Sequence, residues 1–263
     1  MFIRRYFQRH RTRRYRLRII QMLLRKEFLS LTKIFISFLS ILVLFPLFLY
    51  LFICLPLSMA IINTKPVYIN LSASGIWVVT TLFTTYIYSG IMLKKNLLSD
   101  SLISLPISAW QFLVSNYIFL LILGFIQLTI SIICISTINQ DYLSFLNYIT
   151  ILLIFCPTII IISCISFFIF LFTKSRIYKY FLNIFFFMVI SFGYGSFIPL
   201  LFFPDSYTGY VIYFPIPGLI LNSQNIISSE PIIFSYFLTS VLCSLILSVI
   251  VLLLLDKNIK RDI

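Results

Sequence analysis

Side chains able to do acid–base or metal chemistry are few in this sequence. The single histidine, His10, sits in an arginine-rich stretch near the N-terminus. The long apolar segments carry no Asp, Glu, Lys, Arg or His in their central parts, and neither an HExxH pattern nor paired carboxylates occur. These absences exclude a metalloprotease or aspartyl protease acting inside a membrane. A serine hydrolase is also disfavoured, because it would lack a base.

Nucleotide and metal motifs are missing too. There is no GxxxxGK[ST] phosphate loop, and the closely spaced pair Gly193 and Gly195 is followed by no lysine. The five cysteines lack the spacing of a zinc site or a CxxC pair, so we interpret them as small packing residues. We expect no catalytic site, cofactor or metal in this chain. If ATP drives its function, another polypeptide must bind the ATP and Mg²⁺.

Composition places the chain in a membrane. Hydrophobic residues make up 61% of its 263 residues and charged residues only 10%, whereas a soluble domain carries about 25% charged residues. The formal net charge of +13 would favour nucleic-acid binding in a soluble protein. Here the cations cluster beside apolar segments, so we expect membrane topology to be their cause and predict no nucleic-acid partner.

Six apolar segments are long enough to cross a bilayer as helices, which requires about 20 residues each. An ion-driven carrier is disfavoured because these spans lack ionisable groups, although a site made of backbone and hydroxyl oxygens stays open. Pro46 and Pro56 are expected to kink the first span. The predicted spans are Ile34–Ile62, Leu71–Leu93, Phe112–Ile135, Ile149–Phe172, Tyr180–Phe203 and Ile232–Leu255.

The distribution of basic residues predicts the orientation of these spans. Every Lys and Arg except Lys65 falls on one side of a six-span arrangement. Short loops rich in Lys and Arg stay in the cytoplasm, so both termini are predicted to be cytoplasmic. An organelle presequence at the N-terminus is less favoured, since the first 26 residues contain no serine. The predicted regions are a basic N-terminal part (1–33), a six-span domain (34–255) and a cytoplasmic tail (256–263).

An amphipathic helix is predicted between Arg18 and Lys33, just before the first span. Apolar residues recur there every three or four positions, with basic residues between them. This pattern is typical of a helix lying in the cytoplasmic interface, with its basic side toward lipid phosphates. A solvated basic tail is the alternative. The predicted apolar face consists of Leu17, Ile20, Leu24, Phe28 and Leu31.

A second short amphipathic helix is predicted on the same side, between Lys94 and Gln111. Leu98, Leu102 and Leu105 follow one another at helical spacing, and Pro106 would end the helix. The alternative is a linker whose leucines only dip into the lipid.

The longest outer segment runs from Pro204 to Pro231. It contains a Pro/Gly break formed by Pro215, Pro217 and Gly218, followed by an apolar stretch too short to cross the bilayer. We therefore predict a pair of short interfacial or re-entrant helices between spans five and six. An ordinary outer loop with a few buried leucines is the alternative.

The order of these features resembles the integral-membrane subunit of ABC-2 type ATP-binding-cassette exporters. Each motif is loose, and the resemblance depends on their order along nearly the whole chain. In the segment Lys95–Ser101 the sequence KNLLSDS departs from the acidic, glycine-containing pattern common in the family. The matching stretches are RKEF at Arg25–Phe28, FPLFLY at Phe45–Tyr50, YSGIMLKKN at Tyr88–Asn96, SLISLPISAWQFLVSNYIF at Ser101–Phe119, GYGSFIPLLFFP at Gly193–Pro204 and FPIPG at Phe214–Gly218.

The resemblance implies a bacterial cytoplasmic-membrane permease that pairs as a homodimer or heterodimer and docks separate ATPase subunits. In the family the interfacial helix and the first cytoplasmic loop form the docking surface, corresponding to about Arg18–Lys33 and Lys94–Ile107. An apolar path without buried charge suits amphipathic, lipid-linked or hydrophobic substrates. The residues implied in ATPase docking are Arg25, Lys26, Glu27, Lys94, Lys95, Leu98, Leu102, Leu105 and Pro106.

Two other classes remain open. One is a six-span substrate-capture subunit of an ATP-driven vitamin importer, which would not be expected to have the long basic helix or the re-entrant outer segment. The other is a membrane-embedded enzyme or assembly factor without transport activity. Polar side chains converging at one depth would favour the enzyme.

Overall fold

The fold is helical throughout the part of the chain that the computed structural model describes, which is residues 18–33, 35–61, 68–97, 108–140, 142–173 and 175–259. No strand occurs within these ranges. The helices are α1 (18–32), α2 (Phe35–Ala60), α3 (Tyr68–Leu97), α4 (Ala109–Asn139), α5 (Phe145–Phe172), α6 (Arg176–Met188), α7 (Asp205–Val211), α8 (Pro215–Ile227) and α9 (Phe234–Ile259).

Five of these helices, α2, α3, α4, α5 and α9, are long and apolar enough to cross a membrane. They indicate an integral membrane protein, as the composition predicts. The predicted span Leu71–Leu93 has the bounds of the spanning part of α3, and the predicted spans one, three, four and six correspond to α2, α4, α5 and α9 within a few residues.

The predicted fifth span differs from the structure at its C-terminal end. Helix α6 continues through a π turn at Val189–Gly193 and stops there, ten residues before the predicted end at Phe203. Gly195 then takes a φ of +88°, a left-handed conformation that glycine adopts readily and that breaks the helix. The apolar helix Ile177–Gly193 is about 25 Å long at 1.5 Å per residue, shorter than a bilayer core of about 30 Å.

Helix α3 forms the centre of the bundle. It packs against α4, α5 and α8, and its inward positions include Ile76, Leu82 and Leu93, which are fully buried. Gly124 of α4 lets the neighbouring helices come close. A Cβ there would lie 2.7 Å from Cδ1 of Ile159 and 3.0 Å from Cγ2 of Thr85, so the Ile159 side chain would have to shift where α3, α4 and α5 meet.

Helix α2 packs on α4 along one face and exposes the other. Its buried residues include Leu42 and Leu49, whereas Ile36, Leu44 and Phe52 are more than half exposed. A π turn at Tyr50–Cys54 precedes Pro56, and the Leu55 amide bonds to the Tyr50 carbonyl. Such a turn accommodates a proline, which cannot donate a backbone hydrogen bond.

Candidate functional site

The predicted amphipathic helix is present as α1, but its buried face differs by about one residue from the predicted one. Ile19, Leu23 and Glu27 are buried, and Leu24 packs partly against the core. The difference arises because α1 lies on the helix bundle. The ring of Phe28 meets that of Phe119 in α4 edge to face, with centroids 5.3 Å apart.

The three residues of α1 implied in docking occupy different environments. Arg25 is exposed, Lys26 is half-buried, and Glu27 is 7% exposed. Arg25 can therefore meet an external partner directly. Glu27, which is turned into the protein, can act on such a surface only by helping to orient α1.

The second implied docking segment is described only at its start. Lys94 and Lys95 lie in the last turn of α3, and nothing is stated of their side chains. Leu98, Leu102, Leu105 and Pro106 lie outside the described residues. The helix predicted there stays a prediction.

The outer segment contains two short helices, α7 and α8. Pro215 opens α8, Pro217 and Gly218 lie in its first turn, and the last two are buried. Gly218 is required by packing on α9, since a Cβ there would lie 2.9 Å from the Cβ of Tyr236. Helix α8 also packs against α3 and α5, so it is a structured part of the bundle and differs from an ordinary outer loop.

Asn222 joins α8 to the start of α9. Its Nδ2 donates to the Ile233 carbonyl at 3.2 Å, and its Oδ1 accepts from the Ile233 amide at 2.9 Å. Asn225 donates to the Pro231 carbonyl at 3.1 Å. The Ile233 carbonyl also accepts from the Tyr236 amide, whereas the Ile233 N–H lies before the helix and is paired by Asn222 Oδ1, so Asn222 satisfies a donor that the helix cannot.

The loop after α6 is fastened to the start of α3. The Tyr68 hydroxyl donates to the Phe197 carbonyl at 2.7 Å, and burial raises the pKa of Tyr68, which keeps the phenol protonated as a donor. Gly75, about two turns further along, packs directly on the Ser196 carbonyl, whose oxygen a Cβ would overlap. Because this loop leads into the outer segment, α3 holds the start of that segment and α9 holds its end.

A chain of polar side chains crosses the middle of the bundle, and the sequence analysis missed it. Gln127 donates from Nε2 to Ser131 Oγ at 3.1 Å, Ser131 Oγ lies 2.8 Å from Thr80 Oγ1, and Thr80 donates to the Ile76 carbonyl at 2.7 Å. All three side chains are fully buried. Only ionisable groups in the spans were considered in the sequence analysis, and the side-chain amide of Gln127 is neutral.

Gln127 also bonds to α2 at a carbonyl that a proline has left free. In a helix the Leu42 carbonyl would accept from the amide of residue 46, but Pro46 has none. Gln127 Nε2 donates to that carbonyl at 3.1 Å. The coincidence of Pro46 with a single glutamine in an apolar span is the signal that could have predicted this contact.

This polar chain offers structural bonding and no evident catalysis. It consists of hydroxyls and one amide, none of which is a general base near neutral pH. Among the described residues, no group of three or more His, Cys, Asp or Glu is placed to hold a metal ion. Polar groups thus converge at one depth, the feature that would favour the membrane enzyme, and that alternative stays open.

The cysteines occupy packing positions. Cys164 is buried, and its sulfur lies 3.0 Å from the Tyr117 hydroxyl, which also donates to Ser248 at 3.1 Å. This cluster joins α4, α5 and α9. All five cysteines carry free thiols in the structure.

Comparisons of the chain with protein-family models, curated proteins and solved structures give no match.

Proposed function

We propose that the chain is the membrane-spanning permease subunit of an ATP-driven exporter of the ABC-2 type. It works as a homodimer or heterodimer, and a separate ATPase subunit binds ATP and Mg²⁺. The observation that carries the proposal is the placement of two structured elements toward opposite ends of α4. Helix α1 meets Phe119 in the first half of α4, and Ile227 at the end of α8 lines a small cavity together with Ile135 in the last turns of α4.

Helix α1 supports the docking part of the proposal. The bundle holds it by Ile19, Leu23 and Glu27, and the opposite side presents the exposed Arg25. A cationic helix fixed to the bundle would transmit the movement of an acidic partner surface to the spans. In this arrangement both termini are cytoplasmic, α6 is the short fifth of six spans, and α7 and α8 lie at the outer face of a bacterial cytoplasmic membrane.

Helix α3 supplies a physical connection between the two ends. It leads from the proposed docking loop at 94–107 through the bundle centre to Tyr68 and Gly75, which hold the outer segment. ATP binding must favour one arrangement of the spans over another for work to be done. A central helix attached to both the docking loop and the outer segment couples these two sites directly.

The substrate class follows from what lines the spans. Their buried polar groups are hydroxyls and amides, as in Thr80 and Gln127, and their exposed faces are apolar. Such surfaces suit amphipathic, lipid-linked or hydrophobic molecules better than inorganic ions, which need charged or densely polar sites.

Affinity purification of the tagged chain in mild detergent tests the proposal. We expect an ATPase subunit in near-equal amount and ATP hydrolysis by the complex. Recovery of the chain alone in several detergents, without ATP hydrolysis, would favour an enzyme or assembly factor.

The docking surface is tested by the triple substitution of Leu98, Leu102 and Leu105 by Asp. We expect loss of the ATPase with normal membrane insertion. The matched control places three Asp residues at Tyr142, Phe145 and Leu146, which are exposed hydrophobic residues at the start of α5 or just before it, and it should retain the ATPase. Equal co-purification of both variants would remove the 94–107 segment from the docking surface.

The orientation is tested by membrane-impermeant labelling of single cysteines placed at residues 140 and 225 in intact cells. Both positions should react, because both belong to outer segments in the six-span arrangement. Protection of both would overturn the proposed topology.

A further inference from the structure

A groove runs along the bundle where α4 passes into α5. Its volume is about 320 Å³, which is within the range of small-molecule sites. Its walls combine apolar side chains with four hydroxyl-bearing ones, of which two are tyrosines, and the lining residues used below are Ile133, Ser136, Leu143 and Phe145.

A narrow cavity adjoins this groove between α3, α4 and α8. The two share Ser136 and Leu143 in their walls, so they are neighbours. The cavity volume of about 20 Å³ admits one water-sized group, since about 10–15 Å³ is the minimum for a water. Trp77, Asn139 and Ile227 complete its lining.

One polar group beside the cavity, the indole N–H of Trp77, lacks a hydrogen-bond acceptor. The Trp77 indole is 2% exposed, and its Nε1 has no hydrogen-bond partner in the described structure. A buried donor left unpaired is destabilising, so a bound acceptor would stabilise the protein. Asn139 already accepts the Tyr50 hydroxyl at Oδ1, at 2.9 Å, and its amide N–H groups are what it can offer a ligand.

The groove opens onto the surface that faces lipid. Ile133 is 56% exposed and Phe145 is 78% exposed, and both belong to helices long enough to span a membrane. What surrounds such a surface is the acyl chain of a phospholipid. Phospholipids also carry ester and phosphate oxygens, which are acceptors without donors of their own.

We propose that this groove and cavity bind one phospholipid of the surrounding leaflet. Its acyl chain lies along the groove, and one ester or phosphate oxygen enters the cavity and accepts from Trp77 Nε1. The bound lipid supplies the acceptor that the protein lacks at this position. It also fills the junction of α3, α4 and α8, and this role is independent of transport.

Trp77 itself provides the test, because the chain has only two tryptophans. Trp110→Phe leaves Trp77 as the single emitter, and the protein in detergent is titrated with phosphatidylcholine brominated on its acyl chains. We expect saturable quenching of Trp77 that unbrominated lipid reverses by competition. Quenching that rises without saturation, or no quenching, would overturn the proposal.

Ser136→Leu closes the junction between groove and cavity in the same single-tryptophan background. We expect lipid affinity to fall about tenfold, equivalent to about 1.4 kcal/mol. The matched control is Ser40→Leu, the same exchange at an exposed position on α2, and it should leave the titration unchanged. Identical titrations for both variants would contradict the proposed site.

A second measurement applies if Ser136→Leu does not fold. Trp77→Phe keeps an aromatic ring and removes only the donor, and mass spectrometry counts the phospholipid retained by each purified chain. We expect retention to fall at least twofold in this variant. Unchanged retention would show that the indole donor has no part in lipid binding.

Discussion

Helices α3 and α9 differ in how much of their surface is buried and in where their serine, threonine and leucine side chains lie. In an 18-residue apolar stretch of α3, 72% of the residues are buried, and the seven Ser and Thr residues of the span Leu71–Leu93 are all buried. In the corresponding 18-residue stretch of α9 only 22% of the residues are buried, and the outward positions of α9 include Leu238, Leu242 and Leu245. The helix richer in hydroxyls is thus the enclosed one, since lipid is a better solvent for leucine than for threonine.

The middle of α9 nevertheless follows the same rule as α3. Ser240 and Ser244 are buried and Ser248 bonds to Tyr117, so these three hydroxyls face the bundle, whereas Ser235 and Thr239 near the start of α9 are exposed. Without a hydrophobic driving force between helices in lipid, association depends on close packing and hydrogen bonds. The difference between α3 and α9 is therefore the number of sides on which each has partners.

The largest effect on stability is expected from adding a methyl group to α3 at its closest contact with another part of the backbone. Gly75→Ala introduces a Cβ that overlaps the Ser196 carbonyl oxygen, so the backbone of the loop after α6 must move. We expect the free energy of unfolding to fall by about 3 kcal/mol or more. Leu245→Ala on the lipid face of α9 is the control, expected to change it by less than about 0.5 kcal/mol. Unfolding in mixed micelles with increasing SDS, followed by circular dichroism, measures both. Equal losses would refute the contrast between the helices.

The attachment of α9 to α8 sharpens the comparison, because α9 has few other partners. Asn222→Leu leaves the Ile233 amide unpaired and removes one of the two bonds to the Ile233 carbonyl, and it should cost about 2 kcal/mol. Asn225→Leu loses one bond at an exposed site and should cost about 0.5–1 kcal/mol. The same micelle titration measures the two losses. An Asn225→Leu variant that is the less stable of the two would be inconsistent with this account.

The sequence predicts the positions of the spans better than it predicts which helices pack against one another. Apolar length alone located Leu71–Leu93, because hydrophobic thickness is a property of each segment by itself. It overextended the fifth span, since Phe and Ile residues around Gly195 keep the segment apolar while the backbone leaves the helix. Hydropathy indicates whether a segment prefers lipid or water, but it carries no information on the backbone φ angles of that segment.

The site was predicted less completely for a related reason. Local periodicity found helix α1, but which side of it is buried depends on Phe119, more than ninety residues away. The bond from Gln127 to Leu42 likewise spans 85 residues and depends on how α2 and α4 pack. A single sequence does not show which distant residues are in contact, although Pro46 indicates that the Leu42 carbonyl needs a hydrogen-bond donor from elsewhere.

A double-mutant cycle at Pro46 and Gln127 tests whether a neutral amide stabilises the enclosed part of the bundle. Gln127→Leu leaves the Leu42 carbonyl unpaired and should cost about 1–2 kcal/mol. In a Pro46→Ala background the new amide of residue 46 can bond to Leu42, so the same change should cost about 1 kcal/mol less. Additive losses in the micelle titration would mean that the proline does not create the need for Gln127.

The smallest effect is expected from two adjacent hydroxyls of α3. Thr80 is bonded to Ser131 and to the Ile76 carbonyl, and Thr81 Oγ1 is buried without a partner in the described structure. Thr80→Val should lower the free energy of unfolding by about 0.6–1.7 kcal/mol, the range for hydrogen bonds between spanning helices. Thr81→Val should leave it unchanged or raise it by up to about 1 kcal/mol, because it removes a polar atom that the interior does not satisfy. The two variants have the same composition, so a difference of opposite sign between them can only come from bonding. If both lose stability equally, then α3 is buried for reasons of shape, and its hydroxyls do not explain why it is central and α9 is not.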